Sequence, residues 1–387
     1  MELRELFDRE ERGIIELRRW FHAHPEASLH EELTSRKIAE ELEKMGIPYE
    51  KLPPNHGLVA IIEGAKKGKT IVIRADMDAL PVSEETGLPF SSENKGVMHA
   101  CGHDGHMAML LGVIKALSQY RERFSGTVKC LFQVGEEIGR GHGEALEYLE
   151  KTGGADGVIA LHLWSNIPEG QILLIPGAVF AGVRGFVVKV RGEGGHGGRP
   201  DLVKDPIKSA CDLVLKISAI PSNFYDVLDH SVVHVGKIEA GTLGNIFPSE
   251  ATVTGGFRWF NPGGEGAITE KIRQIADGVG MAYGVKCELQ LLGGVAPVHN
   301  NPAMIEQARS LISQVDGLRI ADQTAPICAS DNIGFFLEKY PGFYGVLGAG
   351  KPGTEIYPHH HCKFDLDEKA LRKGMEFMCR YAMEFLK

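Results

Sequence analysis

The order of apolar runs along the chain leaves few folds open. Runs at Leu58–Glu63 and Thr70–Arg74, each bounded by glycine or charge, predict short buried strands. His106–Leu117 predicts a helix, Thr127–Val134 a strand running into Glu136-Glu137, and Gly157–Leu163 a strand carrying His162. Strands alternating with helices imply an α/β fold, a mostly parallel sheet flanked by helices that binds ligands past its C-terminal strand ends. Asp76, Asp78, Glu136, Glu137 and His162 all fall at or just beyond such ends, which predicts one shared site. From about Gly185 the pattern changes to strand Phe186–Arg191, helix Asp205–Ile220, strands Ser231–Ile238 and Ala251–Phe260, helix Ala267–Tyr283 and strand Val285–Leu292. That β-α-β-β-α-β order is the ferredoxin-like arrangement. After Pro297 the chain returns to the first fold with helix Met304–Val315, a glycine-rich stretch holding His359-His360-His361, and helix Glu368–Leu386. The expected organisation is a large α/β domain in two parts, residues 1–184 and 294–387, interrupted by a small inserted domain over 185–293.

At 387 residues the chain exceeds the usual single-domain size, in keeping with two domains. A net charge of −9 with no basic block argues against nucleic acid as a partner. No apolar run approaches the roughly 18–20 residues of a membrane span. Met1 to Trp20 carries Leu3, Leu6, Phe7, Ile14 and Leu17 on one side among Glu and Arg, which predicts an amphipathic helix rather than a signal peptide. Seven scattered cysteines, an odd number, argue against a disulfide framework and for a reducing, cytoplasmic setting.

Chemistry concentrates in Cys101-Gly102-His103-Asp104-Gly105-His106. A lone Cys is usually a small buried hydrophobe and a lone His a satisfied core or surface group. A thiol and two imidazoles within six residues, at the mouth of the apolar run Met107–Leu111, are instead the side chains that hold borderline-soft divalent metals. Glu136-Glu137, His162 and the His359–His361 run add further donors. Competing motifs are weak. Gly192-Glu193-Gly194-Gly195-His196-Gly197 matches G-x-G-x-x-G after a strand, but Arg199-Pro200 interrupt the helix that dinucleotide binding needs. There is no P-loop, no H-E-x-x-H and no G-x-S-x-G.

These motifs resemble the M20 metallopeptidase/amidohydrolase family, in particular its N-acyl-amino-acid amidohydrolase, hippurate hydrolase, indole-acetyl-amino-acid hydrolase and N-acetyldiaminopimelate deacetylase branch. The resemblance runs from Arg18-Arg19-x-x-His22-x-x-Pro25-Glu26 through Arg74-Ala75-Asp76-Met77-Asp78, Met98-His99-Ala100-Cys101-Gly102-His103-Asp104 and Gln133-x-x-Glu136-Glu137. It continues through His162, Gly194-Gly195-His196-Gly197, Gly241-Thr242-x-x-Asn245, Gly255-x-x-Arg258 and His360-x-x-x-Phe364. It implies a zinc-peptidase-like catalytic domain with an inserted ferredoxin-like lid and dimerisation domain. It also implies two divalent metal ions (Zn, Mn, Co or Ni) held by Cys101, His103, Glu137, His162 and His360, with Glu136 as general base and Asp78 orienting a ligand His. His360 is picked from its triplet by the family spacing to Phe364. In the inserted domain His196 would polarise the scissile carbonyl, while Asn245 and Arg258 would hold the substrate.

The chemistry implied is metal-assisted hydrolysis of an N-acyl amino acid to a carboxylic acid and an amino acid. The ions activate water, Glu136 carries its proton to the leaving amine, and Arg258 offers a planar fork to a carboxylate. A dipeptidase or carboxypeptidase on the same site, and an N-acetyldiaminopimelate deacetylase, are the alternatives. A non-catalytic metal-binding scaffold is the alternative of another class, and the Glu136-Glu137 pair argues against it. A small-molecule substrate is the expected partner, and pairing through the inserted domain leaves a homodimer open.

Overall fold

The computed structural model describes residues 3–224 and 230–387. The chain divides into two compact units. The first comprises Met1–Val179, His299–Ala325 and Asp331–Lys387; the second comprises Phe180–Val298 and Pro326–Ser330.

In the first unit an eight-stranded mixed sheet has at its centre four mutually parallel strands, in the order Thr127–Gln133, Thr70–Asp76, Gly157–Pro168 and Gly342–Gly350. Gly57–Glu63 and Tyr49–Leu52 extend one edge antiparallel; Gln171–Leu173 and Arg319–Ile320 extend the other. The central strands read as continuous apolar runs because both faces are covered. Ile71, Val72 and Ile73 are all fully buried, as are Val128, Cys130 and Phe132.

Against the sheet lies the helix His103–Ser118, nearly every residue of which is buried. It packs against the N-terminal helix Leu3–Ala23 and the C-terminal helix Lys369–Phe385. The N-terminal helix is amphipathic as expected, with Leu6, Phe7, Ile14 and Phe21 in the core; residues 1–2 lie outside the described residues. Each such side chain contributes on the order of 1.5–3 kcal/mol when taken out of water.

Two expectations for this unit need correction. The stretch after the helix at Met304 is not merely a glycine-rich connection, because Gly342–Gly350 is a fully buried central strand. The helix itself is shorter: it spans Pro302–Ser310, capped by Asn301, whose Oδ1 accepts from the N–H groups of Ala303 and Met304 at 3.0 and 3.1 Å.

The second unit is a four-stranded antiparallel sheet in the order Lys286–Val295, Gly182–Arg191, Glu250–Trp259, Ser231–Ala240. In chain order this is 4-1-3-2, the ferredoxin-like pattern. Phe186, Val188 and Val190 are buried while Lys189 and Arg191 are exposed, the period-two signature of a sheet with one covered face. The helices Pro206–Ser218 and Gly264–Tyr283 cover that face with Ala210, Leu213 and Ile217, and with Ile268, Ile272, Ala276 and Val279. The first of these helices stops before Ile220, and a second short helix, Ile220–Phe224, follows.

Candidate metal centre

Strand ends and one helix start bring the donors together in the first unit. Thr70–Asp76 runs on through Asp78, Thr127–Gln133 leads into the one-turn helix Glu136–Ile138, and Gly157–Pro168 carries His162. Cys101 sits immediately before the helix His103–Ser118. Gly102 between them has φ 90°, a left-handed value that costs a residue with a side chain about 1–2 kcal/mol.

Among the described residues four donor triads result, each with its ligand atoms within 4.8 Å of one another: Cys101, His103 and His162; Cys101, Glu137 and His360; Asp76, His103 and His106; and His103, Glu136 and Glu137. Cys101 belongs to the first two. Its Sγ lies 3.5 Å from His162 Nε2, while His360 Nε2 lies 3.4 Å and His103 Nε2 3.8 Å from the Glu137 carboxylate. A carbonyl oxygen only accepts, so the contacts of His103 Nδ1 with the Asp78 carbonyl (2.8 Å) and of His162 Nδ1 with the Leu163 carbonyl (2.7 Å) place the protons on Nδ1. In the neutral imidazoles both Nε2 atoms then present lone pairs to the triads. Asp78 also accepts from Ser28 Oγ at 2.6 Å and from the Glu137 N–H at 3.0 Å, so it fixes a carboxylate donor as well as an imidazole.

The His triplet is sorted by its contacts. His359 bonds the Leu163 carbonyl and stacks on Trp164, and His361 stacks on Tyr357. His360 alone of the three reaches a triad, with its backbone at φ 67°, a rare value for a non-glycine residue. His106 groups with Asp76 and His103 rather than with Cys101. Its Nδ1 bonds Asp76 Oδ1 at 2.5 Å and its Nε2 accepts from the Leu163 N–H at 2.9 Å, so it ties the helix to the strand that carries His162.

Whether these residues fit divalent ions is answered by what they leave undone. His103 Nε2 and Glu137 Oε1 are buried without a hydrogen-bond partner, an arrangement rare in native interiors. Burial and the Glu137 charge push the Cys101 thiol well up, and burial with Asp331 and Glu137 pushes the Glu136 carboxyl well up. The pocket therefore holds more acceptors than the protein alone can satisfy, and ions that displace protons from such ligands relieve that excess. A thiol, imidazoles and a carboxylate suit borderline-soft divalent ions.

Around Glu136 the structure adds residues for which sequence spacing gives no role. The Asn332 N–H donates to Glu136 Oε1 at 3.2 Å, and Arg74, fully buried, ion-pairs with Asp76 at 2.7 Å and Asp331 at 3.3 Å. The sequence assigns no role to Asp331-Asn332, whose partners here lie far away along the chain.

The remaining predicted residues lie in the second unit. His196 is exposed on the short strand Gly195–His196, which pairs with Ile246–Phe247; the Gly197 N–H donates to the Asn245 carbonyl at 2.9 Å, so His196 and Asn245 are neighbours. Arg258 is not with them. It pairs across the sheet with Val183, whereas Glu250 at the other end of the same strand pairs with Arg191, near the His196 loop. Eight residues of extended strand between Glu250 and Arg258 span roughly 26 Å. One nitrogen of Arg258, Nη1, is buried without a hydrogen-bond partner.

Residues 72–384 match the family model "Peptidase family M20/M25/M40". The chain is 36% identical over 380 residues to thermostable carboxypeptidase 1 of Saccharolobus solfataricus, covering 96% of this chain and 95% of that one. It is 37% identical over 299 residues to the N-acyl-L-amino acid amidohydrolase of Geobacillus stearothermophilus, covering 77% and 81%. Among solved structures it resembles the Bacillus subtilis YXEP protein, described as a dinuclear metal binding peptidase from the M20 family, with a TM-score of 0.86, 31% identity and coverage of 98% and 99%. With its donors at the strand ends of such a fold and this match over most of its length, the chain belongs to peptidase family M20/M25/M40.

Proposed function

We propose that this protein hydrolyses the amide bond of N-acyl amino acids to a carboxylic acid and a free amino acid, using two divalent ions. The observation that carries the proposal is the pair of donor triads sharing Cys101, with Glu136 directly beside the donor Glu137. Cys101, His103 and His162 would hold one ion, and Cys101, Glu137 and His360 the other. Bound there, such ions supply Lewis acidity toward a water and toward the scissile carbonyl. Glu136 takes the proton of the attacking water and passes it to the leaving amine. Its raised pKa in the metal-free pocket, caused by burial, Asp331 and Glu137, marks a carboxylate that gains from accepting a proton. Asp78 holds His103 and the Glu137 backbone in place.

A substrate carboxylate is assigned to Arg258, supported by its unpartnered buried Nη1 and by the fork geometry of a guanidinium. His196, on an exposed glycine-flanked loop with Asn245 at its side, is assigned as donor to the developing oxyanion. All seven cysteines are free, which supports a reducing, cytoplasmic setting.

The carboxypeptidase name of one relative favours a second reading in which the acyl group is itself an amino acid. Amino-acid release from N-acetyl, benzoyl and indole-acetyl amino acids, N-acetyldiaminopimelate and dipeptides separates the two. Run on apo enzyme with Zn, Mn, Co or Ni restored singly, the panel should show N-acyl amino acids turned over in preference to dipeptides. No metal-restored release from any of them would refute hydrolysis.

A further inference from the structure

Glu136 sits in the segment between Gln133, the last residue of its strand, and Arg140. Asn332, 196 residues further along, touches this segment at three places. Its backbone N–H donates to Glu136 Oε1 at 3.2 Å. Its Oδ1 accepts from Gln133 Nε2 at 2.9 Å at one end of the segment, and its Nδ2 donates to the Arg140 carbonyl at 2.9 Å at the other. The same Oδ1 accepts from Arg74 Nη2 at 2.9 Å. An Asn this close to a helix ordinarily uses its side chain as a cap, yet the Asn332 side chain makes no bond to the helix Gly334–Lys339.

Asp331 anchors the same turn. Its Oδ1 accepts from the Ile333 N–H at 2.8 Å, and its Oδ2 accepts from the Tyr344 hydroxyl and from Arg74 Nη1 at 3.3 Å. Arg74 Nε completes the ring by donating to Gln133 Oε1 at 3.1 Å. Asp331, Asn332, Arg74 and Gln133 are all buried, and a buried polar network whose members are satisfied is rigid.

We infer that Asn332 is a positioning residue for the general base: it clamps both ends of the segment that carries Glu136 and aims the carboxylate with its own amide. The inference rests on Glu136 being the base. Base catalysis depends on sub-ångström placement, and a displacement of about 1 Å can cost on the order of 10²-fold in rate.

The test is steady-state kinetics on the metal-loaded full chain with Asn332→Ala, Glu136→Ala and the double variant, alongside Glu136→Gln. Asn332→Ala should lower kcat by about 10–100-fold, with KM within about threefold and bound metal unchanged. In the Glu136→Ala background the same substitution should have almost no further effect, because a positioning residue has nothing left to position. If Asn332→Ala does not fold, Asn332→Ser carries the same test with the same expectation, since its short hydroxyl keeps the site polar and uncharged but reaches neither Gln133 nor the Arg140 carbonyl. A normal kcat in the folded Asn332 variant while Glu136→Gln is inactive overturns the positioning role and leaves the base assignment standing. So does an Asn332 effect that persists in full without Glu136. An active Glu136→Gln enzyme overturns the base assignment itself, and the inference with it.

Discussion

Cys101 serves two of the donor triads, those with His103 and His162 and with Glu137 and His360, so its loss should be felt twice. Cys101→Ser keeps the size but removes the soft thiolate, and should weaken metal binding by more than the roughly 10–100-fold typical of residues that merely orient ligands. Cys130 is equally buried but belongs to no donor group; Cys130→Ser should cost stability through a buried hydroxyl, about 1–3 kcal/mol, with full metal content. Metal analysis on the purified variants checks this, and equal stoichiometry in wild type and Cys101→Ser would remove Cys101 from the site. At this scale the sequence was legible where chemistry clusters locally. Cys101 and His103 stand out because metal-competent residues sit within a few positions of each other. His106 stood out equally, and only the fold shows that Asp76 and the Leu163 N–H occupy both its nitrogens. Asn332 was invisible for the converse reason: all its partners are distant in sequence, and a lone Asn before a helix has an ordinary explanation.

Between the N-terminal helix and the helix His103–Ser118 runs a buried ionic chain. Arg18 pairs with Asp104 at 2.8 Å, His22 Nδ1 bonds Asp104 at 2.8 Å, and His22 Nε2 reaches Glu84 at 3.2 Å. Burial opposes the Glu84 charge, but hydrogen bonds from His22, Thr86 and the Ser92 N–H bring its pKa down to about 2 from an ordinary 4.5. Burial and Arg18 oppose the His22 charge, and the bonds to Asp104 and Glu84 still raise its pKa above an ordinary 6.5. A lowered carboxyl stabilises the fold above its unfolded pKa and loses that contribution as pH falls through the folded one; a raised imidazole contributes below its unfolded pKa and loses it as pH rises through the folded one. Both contributions are complete together between pH 4.5 and 6.5. The difference in Tm between wild type and Glu84→Gln should therefore peak in that window and narrow toward pH 2, as read by calorimetry; a gap constant from acid to neutral pH would contradict it. Most strands and helices named from periodicity fall within a few residues of their observed ends, whereas the helices Glu32–Met45 and His142–Lys151 were not read at all. Gly342–Gly350 was not read either, because glycine is depleted from strands in general. Here small residues are required by close packing: a Cβ at Gly342 would lie 2.0 Å from the Val158 carbonyl oxygen.

For the molecule as a whole, the switch from an α/β alternation to β-α-β-β-α-β was enough to give the class of both sheets, because each order permits few topologies. What the order could not give is that His196 lies on a separate two-stranded sheet with Ile246–Phe247, while Arg258 lies far along the four-stranded sheet from Glu250. The central claim, a hydrolase in which Glu137 holds metal and Glu136 moves the proton, is tested most directly by measuring bound metal and kcat together on Glu136→Gln and Glu137→Gln. Glu136→Gln should keep its metal while kcat falls by about 10²–10⁴-fold, and Glu137→Gln should lose metal and activity together. A Glu136→Gln enzyme with full metal and near-normal turnover, or one that sheds its metal while Glu137→Gln retains it, would contradict the assignment.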